Sequence, residues 1–91
     1  MRAVWKYEVK ATASSTAIEM PAGARIVHVE HQNPDDRGTV TFWAEVDLEA
    51  KLESRVFQIY GTGHEIGDRC IYLGTDCVTP TLVWHLYELT S

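Results

Sequence analysis

This sequence of 91 residues contains only two cysteines and three prolines, and it has no long apolar run. With so few cysteines, the chain cannot be one of the small secreted domains that a dense disulfide framework holds together. No stretch approaches the roughly 18 apolar residues of a membrane-spanning helix, and the first residues lack the apolar core of a secretory signal peptide. We therefore expect a cytoplasmic protein that makes no membrane contact and keeps its thiols reduced.

Excess positive charge is also missing. The chain has 8 Lys and Arg residues against 13 Asp and Glu residues, which gives a net charge of -5 at pH 7. Non-specific nucleic-acid binding requires a basic surface that neutralises phosphates, so nucleic acid is not an expected partner. The acidic balance is compatible with a basic protein partner, and equally with ordinary solubility.

Alternation of apolar and polar residues dominates the chain, and helical periodicity is nearly absent. The composition, 45% apolar and 23% charged, is that of a globular protein, and the length predicts a single domain over residues 1–91. Strands are predicted over residues 3–10, 17–20, 25–32, 39–47, 55–60, 70–73 and 81–89. About seven short, mainly antiparallel strands predict an all-β fold, either a small barrel or a sandwich.

Three segments between the strands lead to separate predictions. Residues 33–38 are turn formers and predict a hairpin with a long tip, and residues 75–80 predict a turn of the chain. Helix-forming residues occur only near 48–53, where we expect at most one short helical turn that Asp47 caps. Arg55 shares its strand face with Phe57 and Ile59, so it is expected to pair with an acid at the end of the inner face.

The last predicted strand is apolar on both faces. Leu82, Trp84 and Leu86 occupy one face, and the other face contains Val83, Tyr87 and Leu89, with His85 among them. A strand with two apolar faces is covered on both. Either this strand is central between two layers, or its second face meets another chain, in which case the protein is a homodimer.

The aromatic residues divide into two groups. One of them, Trp43, shares its strand face with Thr41 and Glu45, which predicts that it points outward and is a hot spot for a protein partner. Alternatively, a loop or a second subunit covers it. The others are predicted to lie in the core: Trp5, Tyr7, Phe42, Phe57 and Trp84.

A glycine-rich segment follows the strand at residues 55–60. Successive N–H groups of such a segment can form a concave nest that binds an anion or a peptide carbonyl. The segment lacks the lysine and the following helix of a P-loop, and an ordinary loop with positive φ at its glycines is the alternative interpretation. The candidate binding residues are Tyr60, Gly61, Thr62, Gly63, His64 and Glu65.

The sequence offers no recognisable catalytic or metal-binding pattern. It contains no G-x-S-x-G elbow, and no basic environment that would lower the pKa of a thiol is visible around Cys70 or Cys77. His28 and His31 are three residues apart in a predicted strand, so their side chains point to opposite faces and cannot hold one ion. We therefore expect a protein that is not an enzyme and that needs neither a metal nor a cofactor.

Four segments occur in a distinctive order: W-K-Y at residues 5–7, M-P-x-G-A at 20–24, F-W-A-x-V-D at 42–47 and F-x-I-Y-G-T-G-H at 57–64. This series resembles a family of small domains of unknown function that tailed phages and prophages encode, often those of actinobacteria. The resemblance covers nearly the whole chain. It implies a phage gene product in the cytoplasm of a bacterial host.

Small accessory phage proteins often bind a host protein and change its behaviour, and this is the function that the resemblance favours. The expected protein is thus a non-enzymatic accessory protein that binds and modulates a host protein, with the Trp43 face and the Gly61–Glu65 loop as its surfaces. One alternative is a small-ligand binding protein, for a nucleotide or another anion, that acts against host defence. Another is a decoration component of the virion.

Overall fold

The computed structural model describes residues 1–90, and the all-β prediction is confirmed there. Residues 1–90 contain no helix of the length and apolarity that crossing a membrane requires. The seven strands are β1 (Arg2–Lys10), β2 (Thr16–Pro21), β3 (Arg25–Glu30), β4 (Thr39–Asp47), β5 (Leu52–Gly61), β6 (Cys70–Thr79) and β7 (Leu82–Leu89).

The strands form two sheets, a three-stranded sheet in the order β1-β4-β3 and a four-stranded sheet in the order β2-β5-β7-β6. Every pairing within these sheets is antiparallel. The inner faces pack against each other, because the Phe42 ring of one sheet lies 5.1 Å from the Phe57 ring of the other. Of the two architectures that the sequence left open, the protein therefore adopts the sandwich.

The core confirms most of the aromatic predictions and corrects one. Phe42 and Phe57 are fully buried, Tyr7 stacks on Phe42 at 5.4 Å, and Trp84 packs against the core from its edge. Trp5 was expected in the core, but it remains 42% exposed. Its side chain is on the inner face, yet β1 is an edge strand and the opposite sheet does not cover Trp5.

Strand β6 is longer than predicted. The sequence indicated a turn over residues 75–80, but β6 continues to Thr79, and only residues 80 and 81 separate it from β7. The register shifts between Tyr72 and Gly74 and again between Cys77 and Thr79. Such bulges interrupt the apolar alternation from which strands are recognised. Both cysteines lie on this strand as free thiols, as expected.

The stretch with helix-forming residues makes a tight turn. The carboxylate oxygen Oδ1 of Asp47 accepts a hydrogen bond from the N–H of Glu49 at 3.0 Å, and the N–H of Ala50 donates to the Asp47 carbonyl at 3.1 Å. Leu52 already belongs to β5, where it pairs with Pro21 of β2. Leu52 and Glu53, which fall in the segment where we expected at most a short helical turn, therefore belong to β5 because they pair with β2.

Arg55 confirms the prediction of an inward arginine with an acidic partner. Its guanidinium donates two hydrogen bonds of 2.7 Å to the Glu88 carboxylate and another to the Ala24 carbonyl. The bonds to Glu88 raise the pKa of Arg55. This bidentate pair closes the inner face at the end of the sandwich where β5 begins.

The strand directions gather most connections at one end of the sandwich, which we call the loop end: residues 11–15, 31–38 and 80–81 and the start of the β5–β6 connection. Strands β5 and β6 both run antiparallel to β7, which lies between them. Residues 62–69 must therefore return from the loop end to the opposite end before β6 can begin. We call this segment the return loop.

Candidate functional site: a cleft at the loop end

The return loop crosses the outer face of the four-stranded sheet. Thr62 Oγ1 lies 2.9 Å from His85 Nε2, and the Tyr60 hydroxyl contacts both the backbone of Gly67 and Cys70 Sγ, the latter at 3.6 Å. Tyr60 and His85 are cross-strand partners on the outer face. The chain itself therefore covers part of the second apolar face of β7, whose residues are half-buried.

A hydrogen-bonded series fixes the beginning of the return loop. His85 uses both ring nitrogens, Nε2 towards Thr62 Oγ1 and Nδ1 towards Thr75 Oγ1 at 3.1 Å. The Thr75 hydroxyl is also bonded to the Tyr72 hydroxyl. Beside this series, the ring of Tyr87 packs edge-on against the rings of Tyr60 and Tyr72 at 5.4 and 5.5 Å. These contacts therefore fix the position at which the return loop leaves β5.

The glycine-rich segment begins with a tight turn over residues 61–64. The N–H of His64 donates to the Gly61 carbonyl at 3.2 Å, and Gly63 has a φ of 89°, which favours glycine. The His64 ring folds back over Gly61, where an added Cβ would lie 2.9 Å from its Cε1 atom. The two glycines are thus required for different reasons. Gly63 adopts a positive φ, and Gly61 leaves room for the His64 ring to approach the backbone.

The same turn determines the tautomer of His64. The N–H of Gly61 donates to His64 Nδ1 at 3.1 Å, so the neutral ring carries its proton on Nε2. One N–H group of the predicted anion nest is therefore already bonded within the chain. His64 presents a donor, the Nε2–H group, in place of that backbone N–H.

A cleft of ≈ 350 Å³ opens beside this turn, between the β1–β2 connection and the start of the return loop. Of the six predicted residues of the glycine-rich segment, it brings together Tyr60, Gly61, His64 and Glu65. Thr62 lines a neighbouring cleft of ≈ 260 Å³ on the other side of His64. The remaining lining residues of the first cleft are Ala11, Thr12, Ala13, Gln58, Ile59 and Trp84.

Two lining residues that sequence reasoning missed determine the chemistry of the cleft. The amide nitrogen of Gln58 donates to the carbonyls of Thr12 and Ile59 at 3.1 and 3.4 Å, which leaves its oxygen Oε1 as an acceptor. The indole N–H of Trp84 donates to the Arg37 carbonyl at 2.8 Å, which holds the ring at the loop end. No local pattern marks either residue, because each acquires its role from a connection distant in sequence.

The phenol of Tyr60 is held in its neutral form. Its hydrogen bond with the Cys70 thiol, together with desolvation, raises the pKa of Tyr60 above its usual value. The wall of the cleft that Tyr60 forms therefore carries no charge. Glu65 is exposed and supplies a carboxylate at the rim.

Trp43 lies on a different surface. It points outward from the three-stranded sheet, as predicted, between the cross-strand partners Lys6 and His28, and its ring lies 5.6 Å from the His28 ring. It is half-buried among these neighbours. Because the cleft belongs to the four-stranded sheet and the loop end, Trp43 and the glycine-rich segment form two separate surfaces.

The chain belongs to the family Domain of unknown function (DUF7352), whose family model matches residues 1–91. This confirms the expectation of a family of unknown function that covers the whole chain. No curated protein and no solved structure matches the chain.

Proposed function

Starting from membership of a family without an assigned function, we propose that the protein is a non-enzymatic accessory protein of a bacteriophage or prophage. It binds a protein in the cytoplasm of the bacterial host and modulates it. The observation that carries the proposal is the cleft at the loop end, where the predicted residues Tyr60, His64 and Glu65 meet the Trp84 ring. The ordered motifs from W-K-Y to F-x-I-Y-G-T-G-H support a phage origin.

The cleft suits a basic side chain of the partner. Tyr60 and Trp84 provide aromatic walls, which attract a guanidinium or ammonium group through cation–π interactions. Gln58 Oε1 and the Glu65 carboxylate provide acceptors for its N–H groups. The net charge of -5 favours the approach of such a partner.

The position of the cleft supports a protein partner. Connections from both sheets meet at the loop end, and β-sandwich domains commonly bind through loops that a rigid scaffold holds at one end. The rim residues His64 and Glu65 are exposed, whereas Gln58 at the base is 8% exposed. A protruding side chain of a partner can therefore enter between fixed walls while the surrounding loops contact its backbone.

Affinity capture from host cells tests this proposal. The wild-type protein is expected to retain a host protein that Glu65→Lys loses, because lysine at the rim repels a basic side chain. Glu49→Lys is the matched control, since it makes the same charge change in the exposed β4–β5 turn at the opposite end. Equal retention of the same host protein by wild type and Glu65→Lys would contradict binding through the cleft.

A second candidate function is binding of a small ligand in the same cleft. A volume of ≈ 350 Å³ lies within the range of small-molecule sites, and both aromatic walls could stack on a nucleobase. A thermal-shift series with nucleotides tests it, because a ligand at a hundred times its dissociation constant stabilises a protein by about 2.7 kcal/mol. A shift that Glu65→Lys increases would favour an anionic ligand over a basic partner.

A further inference from the structure

The edge strand β1 carries an aromatic side chain that the fold leaves uncovered. Trp5 points to the inner face of the three-stranded sheet opposite Ala44, yet it is 42% exposed, whereas Ala44 is fully buried. Val4, on the outer face of the same strand, is 57% exposed. Burial of a tryptophan contributes strongly to protein interfaces.

The backbone of β1 is also available on one side. Strand β1 pairs with β4 over nine residues and is the last strand of its sheet, so within residues 1–90 its other side has no strand partner. Such an edge readily pairs with another strand. The exposed aromatic and the unpaired backbone therefore occur on the same element.

The sequence of β1 is self-complementary in one antiparallel register. With Trp5 opposite Trp5 of a second copy, Arg2 stands opposite Glu8 of that copy, and the symmetric contact repeats on the other side. Val4 then stands opposite Lys6, a pair in which no like charges meet. Directly opposed charges of unlike sign stabilise a strand pair.

The neighbouring two-fold registers fit less well. Centring on Lys6 places that lysine opposite its own copy and Arg2 opposite Lys10, which sets like charges against each other. Centring on Tyr7 also opposes unlike charges, Lys6 against Glu8, but it places Trp5 opposite Val9, which is only 1% exposed and would gain nothing from further burial. Only the register on Trp5 sets the exposed ring against an equally exposed one.

The geometry points to a homodimer in which two copies of β1 pair antiparallel about Trp5 and join the two three-stranded sheets into one six-stranded sheet. The occupant of this edge is a second copy of the chain. The inference is independent of the proposed function, because the cleft at the loop end lies on the other sheet. It assigns the predicted homodimer to β1 instead of β7.

Sedimentation of the full chain over a range of concentrations tests the inference. The wild type is expected to approach twice its mass of 10.3 kDa at high concentration. Trp5→Glu removes the central aromatic contact, and Glu8→Lys opposes Arg2 with a like charge at both ends of the pairing. Each should raise the dissociation constant of the dimer by about tenfold or more.

Lys6→Glu provides the matched control. It changes charge on the same face of the same strand, but Lys6 stands opposite Val4, so the dissociation constant should stay within about twofold of the wild-type value. Its own intramolecular bond is an exposed one to Gln32. The circular dichroism of each variant at low concentration verifies that the monomer is folded.

Three outcomes would overturn the inference. A wild type that remains a monomer at every concentration refutes the dimer. A dimer that neither Trp5→Glu nor Glu8→Lys weakens lies on another surface. A dimer that Lys6→Glu weakens as much as Glu8→Lys does has a different register.

Discussion

The two outer faces of the sandwich differ in what covers them. The outer face of the three-stranded sheet is open and carries charged residues, with Trp43 half-buried between Lys6 and His28. On the outer face of the four-stranded sheet, the return loop covers Tyr60 and His85. A chain of 91 residues thus supplies three layers from strands and one long connection.

This difference explains an ambiguity in the sequence. A strand with two apolar faces indicates that something covers both, but the pattern does not identify the covering group. For β7 that group is residues 62–69, a segment with mostly exposed side chains that resembles an ordinary loop. Apolarity on a second face is therefore no argument for a subunit interface when a nearby connection is long enough to cross it.

The largest expected effect comes from the covered face. Tyr87→Ala removes the ring that packs against both Tyr60 and Tyr72, and it should lower the free energy of unfolding by about 2 kcal/mol. Trp43→Ala on the open face should lower it by about 1 kcal/mol despite the larger ring, because the Trp43 ring packs against one aromatic ring, that of His28, and not against two. Urea unfolding measures both, and a larger loss for Trp43→Ala would reverse the comparison.

The anchor of the return loop should have a smaller effect. Thr62→Val removes the hydroxyl that lies 2.9 Å from His85 Nε2 and should lower the free energy of unfolding by about 1 kcal/mol. Amide exchange should accelerate in residues 62–69 before it does in the strands. The control is Thr12→Val, whose hydroxyl bonds only locally within the β1–β2 connection. Equal exchange of residues 62–69 in both variants would show that the hydroxyl of Thr62 does not anchor the loop.

A substitution at Gly61, where the His64 ring approaches the backbone closely, should have the next smaller effect on stability. Gly61→Ala places a Cβ against the His64 ring, which can swing away, so we expect a loss of stability below about 1 kcal/mol. In a His64→Ala background the added methyl meets no ring, and the loss should vanish. A double-mutant cycle by thermal unfolding measures this coupling, and additive effects would mean that the ring does not lie over Gly61.

The stability contributions of two carboxyl groups, Asp76 on β6 and Asp36 in the β3–β4 connection, should respond to pH with opposite sign. Burial raises the pKa of Asp76 on β6, whereas hydrogen bonds from Thr39 and from the Gly38 N–H lower the pKa of Asp36. Ionisation of Asp76 therefore lowers the stability of the fold as the pH rises above the pKa that Asp76 has in the unfolded state. Protonation of Asp36 lowers the stability as the pH falls below the pKa that Asp36 has in the unfolded state.

Asparagine variants separate these two contributions. Between about pH 3 and 6, the stability of Asp76→Asn relative to wild type should increase with pH, and that of Asp36→Asn should decrease. His31 Nδ1, 3.0 Å from Asp76 Oδ2, reduces the shift of Asp76 and makes this the smallest of the expected effects. If the relative stability of both variants changed with pH in the same direction, the opposite shifts of the two pKa values would be contradicted.

Local patterns sufficed for the strands and for the direction of individual side chains. The alternation in residues 39–47 correctly placed Trp43 outward, and the parity of Arg55 with Phe57 correctly placed the arginine inward beside an acid. Each conclusion depends on neighbours within a few residues, which the sequence displays directly.

Burial and the cleft depended on partners that are distant in sequence. Trp5 has the inward parity of a core residue, but its exposure follows from the extent of the opposite sheet. Gln58 looks like an outward polar residue until the Thr12 carbonyl, 46 positions away, fixes its amide. The sequence thus predicted one wall of the cleft, from Tyr60 to Glu65, and could not predict the other.

The three tryptophans lie at three different places: Trp5 on a strand edge, Trp43 on the open face and Trp84 beside the cleft. Their indole N–H groups therefore give three separate nuclear magnetic resonance signals, one for each surface. That of Trp84 should exchange slowly with solvent, because it donates to the Arg37 carbonyl. One titration of a labelled sample can thus reveal which surface a partner, a ligand or a second copy occupies.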